Sequence, residues 1–352
     1  MPEVIFIDPC EDKRWDTFVE NHPFGWICHL SGWKKVLEYS FSHIKGNVLA
    51  LEESNKIVAG IPIYEVRSWF TGHRFVSIPF ATLSDPLITS KEQRDILLPA
   101  LIKLKISKMM DYIEIRSHLS DSLEYDGHFF KTTYFKSHYI NLQRNVEEIR
   151  KSFHRSCVRQ RIARAEKSGV SIKRGEEEDL KEFYKLYLMT RKRLCLPPQP
   201  YKFFKSIWNT FYHDKKIDLL LAEKNQEAIA GLLLFKFKNR VSAECAGSNE
   251  NYNNLSPNHL LFWEAIKIAH MEGFEIFDFG RTSPMSKSLM DFKSRWGTKE
   301  VDLPIYFFPK EKAIKSDDRE NSLGYKIVQK LCRIMPYPYF QYFGQFIYRH
   351  LG

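Results

Sequence analysis

Apolar positions along the chain recur with two periods, and the alternation between them runs in the same order twice. In the first part, residues 15–20 and 32–39 carry short helical patterns. The stretches 47–52 and 56–66 read as two strands joined by the polar turn Glu53-Ser54-Asn55. Residues 75–78 are a third strand, stopped by Pro79. Across 91–110, Ile96, Leu97, Ala100, Leu101, Leu104 and Ile106 fall near helical spacing, which predicts a long amphipathic helix, and 112–116 follows as a strand.

The second part repeats that order with sharper definition. Residues 146–168 predict one basic helix ended by Gly169, and 177–194 an amphipathic helix with Leu180, Phe183, Tyr184, Tyr187 and Leu188 on one side. A further helix is expected over 201–212, then three consecutive strands over 217–223, 228–238 and 241–248. Ser256-Pro257 opens a helix over 258–271, since Ser fits the N-cap and Pro the first turn. Gly273 ends it, and a strand over 274–280, a short helix over 287–296 and a strand over 301–308 follow. The chain thus reads as α/β, with domains over 1–140 and 141–310, and a remainder, 311–352, that opens with a charged linker (315–320) and ends in an aromatic, basic tail. That tail is compatible with lying on a membrane surface, although such a stripe more often packs on the protein's own core.

With 352 residues, 43% of them hydrophobic and 14% aromatic, the chain has ample material for two cores, which excludes global disorder. The formal charge is +10, and ten Lys/Arg against three Glu fall between Arg144 and Arg174. A positive segment of this kind attracts nucleic acid, anionic lipid or phosphate-bearing substrates, or is simply a solvated helix face. None of the six cysteines stands in a CxxC pair and no Cys/His set has zinc spacing, so reduced thiols and no metal are expected. The first ten residues lack a signal-peptide pattern, and no apolar run approaches the roughly 20 residues needed to span a bilayer. A soluble cytoplasmic protein is expected, one that could sit peripherally at the inner face of the membrane through residues 322–352.

Three stretches of the second half then add a resemblance. Arg159-Gln160-Arg161-Ile162-Ala163-Arg164-Ala165-Glu166-Lys167-Ser168-Gly169-Val170 resembles an "R-x-x-I-x-K-A-x-K-x-G-V" segment, with Arg164 where Lys is usual. Ala246-Gly247-Ser248, Tyr252, Leu255, Pro257-Asn258 and the run 260–266 resemble "G-S … Y … L-x-P-N-x-L-L-x-W-x-A-I". Phe277-Asp278-Phe279-Gly280-Arg281-Thr282, with Phe292-Lys293 and Trp296-Gly297, is similar to "F-D-F-G-R-S … F-K-x-x-W-G". His29, Trp33, 60–63 and 77–80 match the opening of the same family, the FemAB-like branch of the GNAT acyltransferase superfamily. The resemblance implies two GNAT-like domains in tandem, each a mixed, mostly antiparallel sheet flanked by helices. Relatives include aminoacyltransferases that build peptidoglycan cross-bridges from aminoacyl-tRNA and a set associated with exopolysaccharide and exosortase systems. The absence of a long heptad-patterned arm favours the second set.

Amine acylation needs a positioned amine, donors for the developing oxyanion, and a route for a proton. GNAT-type folds supply those donors from backbone N–H groups where two strands splay, here between 241–248 and 274–280. Ser256 and Asn258, at the start of a helix that follows a strand, are candidates for holding a donor phosphate. The glycine-rich loop of ordinary GNAT enzymes is replaced by 251–258, which weighs against coenzyme A; acyl-CoA and aminoacyl-tRNA both stand as rival donors. Asp278 could orient or deprotonate the amine and Arg281 hold a phosphate or carboxylate; alternatively the two pair with each other to brace the turn. The resemblance gives Lys293 a role in stabilising the transition state, against the alternative of a snorkelling surface lysine. Thr190 and Arg193 match a "T-x-x-R" element that would touch the acceptor, and Tyr252 is placed with the substrate; helix surface is the plainer reading of the first two. His29 and His259 read as packing or capping residues. The expected function is N-acyl or aminoacyl transfer to an amine of a cell-envelope or surface-polysaccharide precursor. The alternatives are a nucleic-acid (tRNA)-binding protein and a catalytically silent envelope-assembly scaffold.

Overall fold

Residues 2–69, 71–124, 126–317 and 323–351 are described by the computed structural model. The chain forms two units, the first made of Met1–Tyr134, Asp302–Ile327 and Tyr342–Gly352 and the second of Phe135–Val301 and Val328–Gln341. In the first, β1 (Glu3–Ile7), α1 (Arg14–Asn21) and α2 (Ser31–Ser40) precede the hairpin of β2 (Ile44–Glu53) and β3 (Lys56–Ser68). Next come β4 (Gly72–Val76), α3 (Lys91–Ser107) and β5 (Tyr112–Arg116). The sheet runs β1-β2-β3-β4-β5, antiparallel except for the parallel pair β4/β5. Leu97, Leu98 and Leu101 of α3 pack on Leu49, Ile61 and Ile113 of the strands.

Beyond Val76 and Arg116 the carboxyl ends of that parallel pair are tied together. Asp85 Oδ1 accepts the backbone N–H groups of His118, Leu119 and Ser120 at 2.5, 2.6 and 3.0 Å. The Arg116 guanidinium donates to the carbonyls of Ile78 and Ala81. The helix that follows, α3, is closed by its own residues: Ser90 Oγ accepts the Gln93 N–H and Gln93 Oε1 accepts the Ser90 N–H.

The second unit takes up the chain within β6 (Phe130–Asn141) and continues with α4 (Val146–Ser152) and α5 (Gln160–Lys167). The single basic helix expected over 146–168 is broken: Phe153 is extended and buried against Trp263 and Trp296, and a π-turn, Arg155–Arg159, restarts the helix. Burying one aromatic ring outweighs helix continuity there. Then follow β7 (Ser171–Arg174), α6 (Leu180–Arg193), α7 (Tyr201–Phe211) and the meander β8 (Ile217–Lys224), β9 (Glu227–Phe237), β10 (Arg240–Ser248). The unit ends its sheet with α8 (Pro257–Met271), β11 (Ile276–Thr282) and α9 (Lys287–Ser294). Strand order is β6-β11-β10-β9-β8-β7, antiparallel except for the parallel pair β10/β11. Strand β9 is apolar on both faces because α8 covers one side, with Ala230, Leu232 and Leu234 in its core, while Gly231 faces Phe183 of α6. Three strands, β1, β6 and β7, were not expected from the pattern, although Val4-Ile5-Phe6-Ile7 of β1 is apolar throughout.

The last strand, β12 (Lys299–Phe308), pairs antiparallel with β5. The tail forms α10 (Lys310–Asp317), α11 (Leu323–Ile334) and α12 (Tyr337–Tyr348), and residues 318–320 of the charged linker lie outside the described residues. Cys332 and Phe340 are fully buried, and Tyr348 packs on Phe41 and Phe80, so part of the aromatic stripe is core. No described helix is long and apolar enough to cross a membrane.

Candidate functional site

Strands β10 and β11 pair through three residues, Arg240↔Ile276, Val241↔Phe277 and Ser242↔Asp278, and the ladder then stops. Both strands carry a register shift just past that point, β10 between Ala243 and Cys245 and β11 between Asp278 and Arg281. Coincident bulges bend the strands locally and leave the facing edge of β10 without a ladder partner. Gly280 has φ +71°, and a Cβ there would lie 2.9 Å from the Ala243 carbonyl oxygen, so this crossing needs a glycine. The opening expected between these two strands is therefore present.

Asp278 is fully buried at the base of the opening. It accepts from Arg240 Nη1 at 2.7 Å, Ser137 Oγ at 3.0 Å and the Gly280 N–H at 2.7 Å. Its ionic partner is Arg240, not Arg281, which corrects the expectation of an Asp278–Arg281 brace: successive bulge residues point apart, and Arg281 lies over the Phe135 ring at 5.0 Å. Lys293, on α9, is only 4% exposed and donates from Nζ to the Gly280 carbonyl at 2.6 Å. It points inward from its helix and does not snorkel. Burial pushes its pKa down to about 8, against the pull of the Asp278 and Glu244 carboxylates. Asp278, Arg281 and Lys293 thus gather around one bulge, and Glu244, held by Ser242 Oγ at 2.8 Å, reaches the same region.

Thr190 and Arg193 lie elsewhere, at the far end of β10. Thr190 Oγ1 accepts the Ser248 N–H at 2.9 Å, and Arg193 Nη2 lies 3.5 Å from Ser248 Oγ. Here α6 sits directly on the strand: a Cβ at Gly247 would be 2.5 Å from the Tyr187 nitrogen. Tyr252 donates its hydroxyl to Glu227 Oε2 at 2.7 Å, a contact that raises its pKa.

Beyond β10 the chain enters α8 through Ser256, at φ +59°. Ser256 Oγ makes no capping bond, and it and Asn258 Oδ1 are buried with no hydrogen-bond partner among the described residues. The Ser256 hydroxyl, which can donate, suits a phosphate at this helix N-terminus, whereas Asn258 Oδ1 is an acceptor and needs a donor instead. His259 is pushed down to about 4, first by burial and then by the Arg161 cation, and its ring is hydrogen-bonded to the Cys157 backbone. The basic π-turn and α5 therefore flank the same helix start, and Arg159 Nε there is also buried without a partner. The sequence offered this segment as a positive stretch open to phosphate-bearing groups and as part of the resemblance, without placing it beside the start of α8. Also missed were Arg240 and Ser137, the Asp278 partners, which no local pattern marks. Among the described residues no group of His, Cys, Asp and Glu is placed to hold a metal.

A family model described as an acetyltransferase (GNAT) domain matches residues 152–294. Among solved structures the chain is similar to FemX, with TM-score 0.72 at 16% identity, covering 89% of this chain and 99% of that one. It is also similar to a tandem GNAT protein from the clavulanic acid biosynthesis pathway (TM-score 0.56, 9% identity, 87% and 98% covered). A third likeness is the C-terminal domain of a putative lysylphosphatidylglycerol synthetase from Agrobacterium fabrum (TM-score 0.55, 12% identity, 90% and 98% covered). No curated protein matches the sequence.

Proposed function

We propose that the chain belongs to the FemAB-like branch of the GNAT superfamily and that its second unit transfers an acyl or aminoacyl group to an amine of a cell-envelope or surface-polysaccharide precursor, a reading supported by the GNAT domain match over 152–294 and the fold likeness to FemX. The observation that carries this reading is the opening past Ser242 and Asp278, with the buried Lys293 at the bulge beside it. In this reading the donor, an acyl-CoA or an aminoacyl-tRNA, rests a phosphate on the N-terminus of α8 near Ser256, Asn258 and Arg161. Its carbonyl lies against the unpartnered edge of β10, where backbone N–H groups meet the oxyanion. The amine attacks, a C–N bond forms, the ester or thioester bond breaks, and a proton goes to the leaving oxygen or sulfur. Asp278 holds the bulge in place through Arg240 and Ser137. Lys293, with its pKa pushed down to about 8, donates a hydrogen bond as a cation and exchanges a proton more readily than an exposed lysine. Arg281 and, further along β10, Thr190, Arg193 and Tyr252 contact the acceptor.

Incubating the purified protein with labelled acyl-CoA and aminoacyl-tRNA donors and with amino-sugar nucleotides or peptide-stem amines tests the reading. One donor class should label one acceptor class, and Lys293→Met should abolish it. No transfer from any pairing, or undiminished transfer by the variant, would overturn it. Exposed Tyr337, Tyr339, Tyr342 and Phe346, in a described stretch (323–351) without a single acidic residue, support peripheral contact of the tail with an anionic membrane. Co-sedimentation with phosphatidylglycerol vesicles checks that part.

A further inference from the structure

The bulge of β11 sets two residues against one. Asp278 is opposite Tyr139 and Arg281 is opposite Ser137, so a single residue of β6, His138, faces both Phe279 and Gly280. His138 is fully buried, and neither ring nitrogen has a hydrogen-bond partner among the described residues. Leaving both polar atoms of an imidazole unsatisfied in a core is costly unless the site uses them. Two charged groups flank it. Nε2 lies 3.5 Å from Glu300 Oε2, outside hydrogen-bonding geometry, and Glu300 is 44% exposed and also paired with Lys136 at 3.4 Å. Across the bulge, the Gly280 carbonyl holds Lys293 Nζ. The charged groups that act on the ring are Lys293 from α9, Asp278 from β11, Glu300 at the start of β12 and Lys136 from its own strand.

We propose that His138 is a positioning residue for proton transfer, the group through which Lys293 exchanges its proton with Glu300 and water. The proposal rests on the transferase reading of this site. An acceptor that arrives as an ammonium must lose one proton before its lone pair can attack. Lys293 takes that proton in its neutral form, the minor one below pH 8: an N–H bond breaks on the acceptor and forms on Nζ. It passes through an intervening water to one ring nitrogen of His138, the proton on the other ring nitrogen leaves for Glu300 and water, and the ring is neutral again. No electrons change hands, and the acceptor's second proton goes to the donor's leaving atom. Burial, then the Lys293 cation, lowers the His138 pKa, so the ring is neutral at working pH and carries the extra proton only in passing.

The test has an arm that needs no substrate. In the full chain, the His138 ring titration is followed by 15N-resolved NMR, assigned through its own backbone. Lys293→Met should raise the midpoint by about half a pH unit or more, because a neighbouring cation is gone, and Glu300→Gln should lower it. A midpoint unmoved by both changes overturns the proposal, whatever becomes of the transferase reading. With the donor and acceptor identified by the transfer assay, His138→Gln and Glu300→Gln should each lower kcat about tenfold or more, with KM unchanged. Added imidazole should restore part of the rate of His138→Gly. Full kcat in both Gln variants, or a rise in KM alone, contradicts it. If His138→Gln does not fold, Glu300→Gln, at the half-exposed rim, decides the kinetic arm alone.

Discussion

Replacing Lys293 by methionine should make the second unit more stable while ending transfer. Burial holds the Lys293 pKa at about 8 where an exposed lysine has 10.5, a difference of about 3 kcal/mol. The sign follows from which state binds the proton more tightly. The unfolded chain does, so below pH 8 the folded protein bears the full cost of a buried ammonium, and between about 8 and 10.5 the folded lysine is neutral and that cost fades. Methionine has a similar length and no charge, but it forfeits the hydrogen bond to the Gly280 carbonyl, about 1 kcal/mol. The net expectation is a gain of about 2 kcal/mol at pH 7 that shrinks toward zero by about pH 10. Urea unfolding at the two pH values measures it, with fully buried Trp296, three residues on, as a local fluorescence reporter. A variant less stable than the natural protein at pH 7, or a gap that persists unchanged at pH 10, would refute the reasoning.

The pH dependence on the acid side should be set in part by His259. Its folded pKa is about 4 against an ordinary 6.5, so its contribution is complete above pH 6.5 and is lost as pH falls toward 4, by about 3 kcal/mol. Denaturation midpoints across that window should fall less steeply in His259→Phe. Gly280→Ala should cost about 2 kcal/mol and depress transfer, since a left-handed residue with a Cβ must push the Ala243 carbonyl away. Arg161→Glu and Ser256→Ala should each weaken donor binding by roughly tenfold, read by calorimetry, with the acceptor KM unchanged.

Elements with an uninterrupted apolar period were legible in the sequence: α3, α6, α8 and the β8–β10 meander stand within a few residues of where the pattern puts them. Strand β6 was not, because Phe130-Lys131-Thr132-Thr133 and Lys136-Ser137-His138 mix polar and apolar residues, and its identity comes from pairing with β11. The break at Phe153 was hidden for a related reason. Helical spacing continues through it, and only the tryptophans of α8 and the chain after α9 draw the ring inward. At the site, the segment containing Asp278, Arg281 and Lys293 could be recognised by its order of residues. The partners of Asp278 could not: Ser137 is 141 positions away, and only sheet order brings the two together. Orphaned atoms such as Ser256 Oγ and the His138 ring nitrogens are likewise a property of three-dimensional surroundings, not of any spacing.

The carboxylate of Asp85 has a consequence for stoichiometry. It already occupies the amide groups just past the end of β5, and Ser90 with Gln93 satisfies the start of α3. A polyanion approaching that duplicate of the β10/β11 arrangement would have to evict the protein's own acid first. Titration with donor should therefore saturate at one equivalent per chain, despite two copies of the scaffold.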